Sequence, residues 1–335
     1  QLDTPAPVSN TPAPMQMPTT PIVPTDFHQS PPTPPTQTFT NQPAQFEAQP
    51  TPTTFVETDP LKISLLNAQK NEVPARLGWR GSLNRHLGTT LAPTEYERRV
   101  RVDETAVSTH WPGPRTIAVV NGKGGAGKTP TAILIAALLA RYGGGGVVAF
   151  DNNPTRGTLG WRTEQGPHNA TILDMVPQTE ALMDPSARNG DVAAYTHHQT
   201  IDQFDVLRSN PLLLSTEQKL TPKELDGIQQ VLTRYYRMII WDTGNDEGDN
   251  LWLRIVSHDE RSATLAANAV VVISQADREE PPATSLVDGF AGIAREVVTI
   301  PYDRAMREQW LRSDKLAPAT RAAWLHAAAA VARGL

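Results

Sequence analysis

Short runs of apolar, often β-branched residues recur from residue 116 onward, separated by longer stretches of helix-forming residues. Thr116-Ile117-Ala118-Val119-Val120, Val147-Val148-Ala149-Phe150, Phe204-Asp205-Val206-Leu207-Arg208, Arg237-Met238-Ile239-Ile240-Trp241-Asp242, Ala269-Val270-Val271-Val272-Ile273 and Val297 to Ile300 read as strands. The runs are near-continuous rather than alternating, the pattern of strands buried on both faces of a parallel sheet. Ala132 to Ala140 is too long for a typical strand and rich in helix formers, and Gly143 to Gly146 supply its stop. Thr221 with Glu224 is a capping-box signature that opens a helix to about Tyr236. Further helices are expected at about 303 to 312 and 320 to 333. The alternation predicts an α/β fold: a mostly parallel sheet with helices on both faces.

The first third of the chain lacks this rhythm. Residues 1 to 60 hold half of the 30 prolines, no Lys and no Arg. Such a segment buries too little apolar surface to offset its ordering entropy. Residues 1–58 are therefore read as a disordered Pro/Thr/Gln-rich tail with polyproline character around Pro31-Pro32-Thr33-Pro34-Pro35. Residues 59–112 change character: Leu61, Ile63, Leu65 and Leu66 form an apolar patch, and Arg76, Arg80, Arg85, Arg98, Arg99 and Arg101 follow with Trp79 among them. Thr94 can cap a short helix from Glu95 to Val102. This segment reads as a basic, partly helical linker or adaptor, with Pro112-Gly113-Pro114 as its boundary and residues 113–335 as the domain.

Net charge is −5, so the chain as a whole is not a basic nucleic-acid binder. There is no cysteine, which excludes disulfides and zinc–thiolate sites and fits a reducing compartment. No apolar run approaches membrane-spanning length and no signal-peptide pattern opens the chain, so a cytoplasmic location is expected. The first residue is Gln1 rather than Met, so the natural N-terminus is expected to lie upstream. The last helix carries only Trp324, Leu325, Val331 and Leu335 as large apolar residues, too weak a face for membrane attachment to be expected.

The candidate chemistry sits between the first strand and the first helix, in Asn121 to Thr131 (NGKGGAGKTPT). Gly122, Gly127, Lys128 and Thr129 satisfy G-x-x-x-x-G-K-[ST] at every fixed position. The backbone must bend sharply and approach a polyphosphate closely, which glycine permits; the helix N-terminus adds unpaired N–H groups and a positive dipole end. Lys128 would reach the β- and γ-phosphates and the Thr129 hydroxyl would bind Mg²⁺. Gly122, Lys123, Gly124, Gly125, Ala126, Gly127, Lys128, Thr129 and Pro130 are thus the candidate nucleotide-binding residues. Asp242 ends a strand, where an acid would lie beside the phosphate loop and could hold Mg²⁺ through water.

With Lys123 early in the loop, KGGAGKT resembles the deviant Walker A motif of the ParA/MinD ATPases. The resemblance spans about residues 115 to 312 and implies a P-loop fold, ATP and Mg²⁺ as cofactors, and an ATP-dependent homodimer in which Lys123 reaches the partner's phosphates. It implies a switch I at Asp151-Asn152-Asn153-Pro154, with Asp151 on the first acid and Asn153 where a second acid positions the attacking water. It also implies a switch II start at Thr243-Gly244 and an adenine-wrapping loop at Pro301, Tyr302 and Asp303, with Ser274-Gln275 nearby. Lys123, Lys128, Asp151 and Asn153 are the catalytic candidates by this resemblance, and Thr129 and Asp242 the metal candidates. Departures are Asn153, which cannot carry a carboxylate's charge; Pro130, where a hydroxyl residue is usual, with Thr131 next to it; and one strand–helix unit, rather than two, before Pro301, with residues 258 to 268 as a helix-rich join. Gly157-Thr158-Leu159-Gly160-Trp161-Arg162 and the Pro-rich preface look most like actinobacterial members, including those associated with type VII (ESX) secretion and with plasmids.

The function expected from this reading is a weak ATPase switch that positions or regulates a cargo, DNA or a secretion apparatus, with a protein partner that stimulates hydrolysis. The alternative is a catalytically decayed nucleotide-binding scaffold.

Overall fold

The computed structural model describes residues 72–153, 157–210, 213, 220–244, 264, 267–281, 283–290 and 294–335. The tail at 1–58, the Leu61 to Leu66 patch, Pro154 and most of the join at 258–268 lie outside the described residues.

The expected strands form, in two sheets. β1 (Arg115–Val119), β2 (Val147–Asn152), β4 (Asp205–Leu207) and β5 (Met238–Thr243) are parallel, and β3 (His197–His198) pairs antiparallel with β4, in the order β1-β5-β2-β4-β3. β6 (Val270–Ser274) and β7 (Glu296–Ile300) pair in parallel with each other as a second sheet. The mostly parallel α/β architecture holds; the single sheet implied by the strand pattern is instead a five-stranded sheet and a two-stranded one.

Successive residues of the central strands point to opposite layers. Val147 and Ala149 of β2, with Met238 and Ile240 of β5, pack into a core shared with α3 (Lys128–Gly143) and α5 (Pro318–Ala332). Val148, Phe150, Ile239 and Trp241 point the other way, onto Ile228, Val231 and Leu232 of α4 (Pro222–Tyr235). Every residue of β2 and β5 is buried, which is why these strands read as unbroken apolar runs. Phe150 and Trp241 meet edge to face at 4.7 Å.

α4 begins as its sequence predicts. The Thr221 hydroxyl accepts the Glu224 N–H and the Glu224 carboxylate accepts the Thr221 N–H, a reciprocal cap of which the Thr side chain alone contributes about 1 kcal/mol. α3 ends on Gly144 in the left-handed region, φ 84°.

Three elements differ from expectation. α1 (Gly78–Leu87) is an additional helix; its C-terminal signals, Arg85 and His86 followed by left-handed Gly88, are local. α2 (Glu95–Val107) starts on Thr94 as expected but runs on past Val102, because Val107 enters the core and Asp103 meets His326 and Arg333 of the C-terminal segment at 2.9 and 3.3 Å. α2 packs along α5. Finally, 303–312 is not one helix but a 3₁₀ turn at Arg304–Arg307, then a non-helical, bent stretch and a second 3₁₀ turn at Ser313–Lys315. The Arg162 guanidinium takes the carbonyls of Met306 and Glu308, and the Leu311 N–H goes to the Arg162 carbonyl, so the groups an α-helix would pair are used elsewhere.

Candidate functional site

The site lies at the C-terminal ends of β1, β2 and β5, where a parallel sheet leaves a crevice. From Val119 the chain turns through Asn121 to Gly127 into α3. Gly125 (φ 76°) and Gly127 (φ 88°) hold left-handed conformations that a side chain disfavours, so these glycines set the loop's path. The Asn121 carboxamide oxygen accepts the Lys123 N–H at 2.8 Å and tightens the first turn.

Lys128 opens α3, is buried, and donates from Nζ to the Asn121 carbonyl at 2.9 Å. Burial pushes its pKa down and the Asp242 carboxylate opposes that shift. Next on the helix, Thr129 donates its hydroxyl to Asp242 Oδ2 at 2.6 Å. The other oxygen, Asp242 Oδ1, is buried with no hydrogen-bond partner among the described residues. A buried carboxylate oxygen without a donor, beside a hydroxyl oxygen on a helix's first turn, is a donor set suited to a hard divalent cation. The residues present therefore fit Mg²⁺ on Thr129 and Asp242.

Asp151 stands beside Asp242 in the ladder of β2 and β5. Its carboxylate receives the Ser209 hydroxyl at 2.9 Å and the N–H groups of Asn153 and Leu159 at 3.2 and 3.3 Å. Burial, then the neighbouring Asp242, pushes the Asp151 pKa up to about 7. Burial also raises Asp242, to about 6, against the hydrogen bond from Thr129 and the charge of Lys128. Two adjacent buried carboxylates favour holding a proton or a cation between them over standing as bare anions.

Other predicted residues fall as follows. Gly122, Lys123 and Gly124 are exposed in the loop, and Ala126 leads into the half-buried turn at Gly127. Pro130 sits within the first turn of α3, where no N–H is required. The Thr131 hydroxyl donates to the Gly127 carbonyl at 2.8 Å. Asn153 follows β2, and the Gly244 N–H bonds the Asn152 carbonyl at 3.3 Å, so the stretches read as switch I and switch II meet.

Pro301, Tyr302 and Asp303 begin where β7 ends. Ile300 pairs with Ser274, and Ser274 Oγ lies 3.5 Å from where a Cβ on Gly127 would stand, so these residues start at the loop's end of the fold. Asp303 is spent within its own segment: it accepts the N–H groups of Ala305 and Ala317 at 2.9 and 2.8 Å. The Tyr302 ring lies 5.8 Å from the Arg278 guanidinium.

Two residues escaped the sequence reading. Thr158 Oγ1 lies 2.7 Å from Thr129 Oγ1, and Ser209 holds Asp151. Gly157 explains how they come so close: a Cβ there would stand 1.7 Å from Ser209 Oγ and 2.5 Å from Asp151 Oδ2. Thr158 lay inside a stretch noted only for resemblance, and a lone hydroxyl carries no signal of its own.

Comparison with known proteins places this site in context. The family described as AAA domain matches residues 114–247. The ESX-1 secretion-associated protein EspI of Mycobacterium tuberculosis (strain ATCC 25618 / H37Rv) is 27% identical over 189 residues. That match covers 56% of this chain and 27% of EspI, so the chain spans about a quarter of the curated relative's length. Among solved structures, the septum site-determining protein MinD of Pyrococcus horikoshii OT3, complexed with Mg-ADP, aligns with TM-score 0.44 and 20% identity over 65% of this chain and 94% of that one. A ParA family ATPase from Chlorobium tepidum TLS aligns with TM-score 0.41 and 16% identity over 58% and 88%.

Proposed function

We propose that this chain, whose residues 114–247 match the family described as AAA domain, is a ParA/MinD-like Mg-ATP-binding switch with slow hydrolysis. The observation that carries this is the pairing of Thr129 with Asp242 at 2.6 Å while Asp242 Oδ1 stays buried and, among the described residues, unpartnered beside a left-handed glycine loop. Lys128 and the loop N–H groups from Gly122 to Gly127 would bind the phosphates, with Lys128 releasing the Asn121 carbonyl to do so. Thr129 and Asp242 would hold Mg²⁺, which when bound supplies charge neutralisation at the phosphate oxygens. Asp151 is fully enclosed, with Ser209, Asn153 and Leu159 donating to it, so its role in this reading is to fix the loop after β2 rather than to abstract a proton. Pro301 and Tyr302 would flank the base; Asp303 would shape that loop through Ala305 and Ala317.

Lys123 is exposed at the lip of the loop, free of burial constraints on reaching a second subunit. We assign it the role of closing an ATP-dependent homodimer. The output would be regulation of a larger assembly, with a secretion apparatus preferred over DNA because the curated relative's name is secretion-associated and the net charge is −5. A partner protein would set the hydrolysis rate.

A second reading, a nucleotide-binding scaffold without turnover, is favoured by Asn153 and by Thr131, whose hydroxyl is already given to Gly127. Single-turnover hydrolysis by the wild type and Asn153→Asp separates the two. The switch reading expects slow but measurable turnover, raised about tenfold by the restored acid, which is about 1.4 kcal/mol at the transition state. No phosphate release from either protein would leave the scaffold.

A further inference from the structure

We propose that Thr158 is a positioning residue that reports metal-nucleotide occupancy of the P-loop to the surface around Trp161 and Trp310. The inference rests on the Mg-nucleotide reading above and goes beyond it by naming the path along which occupancy is read.

The path is a continuous set of contacts. Thr129 gives its single hydroxyl proton to Asp242 Oδ2, so in the 2.7 Å contact between the two threonines the Thr158 hydroxyl is the donor. Thr158 is thus tied to the oxygen that Mg²⁺ would occupy. Its two neighbours in the chain are both held. Gly157 is pressed against Ser209 and Asp151, Leu159 is fully buried and donates its N–H to Asp151, and the Thr163 hydroxyl returns to the Leu159 carbonyl at 2.8 Å. Arg162, in the same loop, holds the carbonyls of Met306 and Glu308, and its own carbonyl accepts the Leu311 N–H at 2.9 Å. The flanking tryptophans are displayed outward: Trp161 is 60% exposed and Trp310 59%.

The trigger follows from the chemistry of one oxygen. Thr129 Oγ1 bound to a divalent cation is a poor acceptor, and a donor proton aimed at it is repelled by the cation's charge. Thr158 must then turn its proton away or leave. The Trp161 N–H bonds the Thr158 carbonyl at 3.2 Å, so a shift of Thr158 passes across that bond to Trp161 and Arg162, and through Arg162 to the stretch ending at Leu311. The two exposed tryptophans therefore sit on the segment whose position depends on whether Thr129 holds a metal.

The test uses the full chain labelled with 5-fluorotryptophan, observed by ¹⁹F NMR, with the Trp161 and Trp310 signals assigned through Trp161→Phe and Trp310→Phe. Calorimetry on the same samples first establishes Mg-ADP binding. Addition of Mg-ADP is expected to shift both signals, and ADP with EDTA to leave them in place. Thr158→Val, which keeps the shape and removes the hydroxyl, is expected to bind Mg-ADP but lose the shift; Thr158→Ser restores it. An equal shift in Thr158→Val, or an equal shift with ADP and EDTA, overturns the relay while leaving the nucleotide site standing. Should Thr158→Val fail to fold, Thr158→Ala, which also removes the hydroxyl, takes its place with the same expected and contradicting results. Absence of Mg-ADP binding in the wild type overturns the proposed function and this inference together, and calorimetry makes that case distinct.

Discussion

Asp151 and Asp242 are direct partners across the parallel pair β2 and β5, both buried, at the strand ends that face the glycine loop. Among the described residues, one is held by three donors and the other has an oxygen with none. That asymmetry separates their roles: Asp151 anchors a loop, and Asp242 waits for a cation.

The pair makes the nucleotide-free domain sensitive to pH. Both folded pKa values lie above the 3.8 of an ordinary aspartate, Asp151 at about 7 and Asp242 at about 6. The folded state therefore binds protons that the unfolded state has released. The associated stability is fully present below the unfolded value and is lost as pH rises through the folded ones. In EDTA, thermal melts of the wild type are expected to fall from pH 5 to pH 8 more steeply than those of Asp151→Asn, in which one anion is removed. Equal slopes would contradict the buried-pair account.

Gly157→Ala is expected to destabilise the domain by about 1–3 kcal/mol, the range for forcing extra volume into a packed site. The new Cβ would overlap Ser209 Oγ and press on Asp151 Oδ2. Combining it with Ser209→Gly should recover part of the loss, since the two changes share one space. Urea denaturation of the single and double variants checks both statements.

These contacts also mark the boundary of what the chain's pattern reveals. The glycine loop, the strand ending in Asp242 and the Thr221 cap were legible because each is local: its residues are adjacent or a turn apart. Thr158 with Thr129, and Ser209 with Asp151, join positions 29 and 58 residues apart, and neither hydroxyl stands out in sequence. The stretch 303–312 misled for a related reason. Its composition suits a helix, but a distant arginine, Arg162, takes the carbonyls that a helix would need. The split of β6 and β7 from the main sheet was equally hidden, since strand runs show burial but not partners.

Lys123→Ala is expected to leave nucleotide binding by the monomer largely intact and to abolish ATP-dependent association. Lys123 is exposed, whereas Lys128 is buried and built into the loop. Light scattering with and without Mg-ATP checks this; a dimer unchanged by the substitution would return Lys123 to an ordinary solvated lysine.

The central claim is that Lys128, Thr129 and Asp242 form a metal-dependent phosphate site, and calorimetric titration with ADP tests it most directly. Wild type is expected to bind saturably with Mg²⁺ and far more weakly with EDTA. Lys128→Ala, with an unchanged circular dichroism spectrum, is expected to lose at least about tenfold in affinity, the scale of a charge-assisted contact of about 1.5 kcal/mol or more. Wild-type affinity in Lys128→Ala, or binding indifferent to EDTA, would contradict the account.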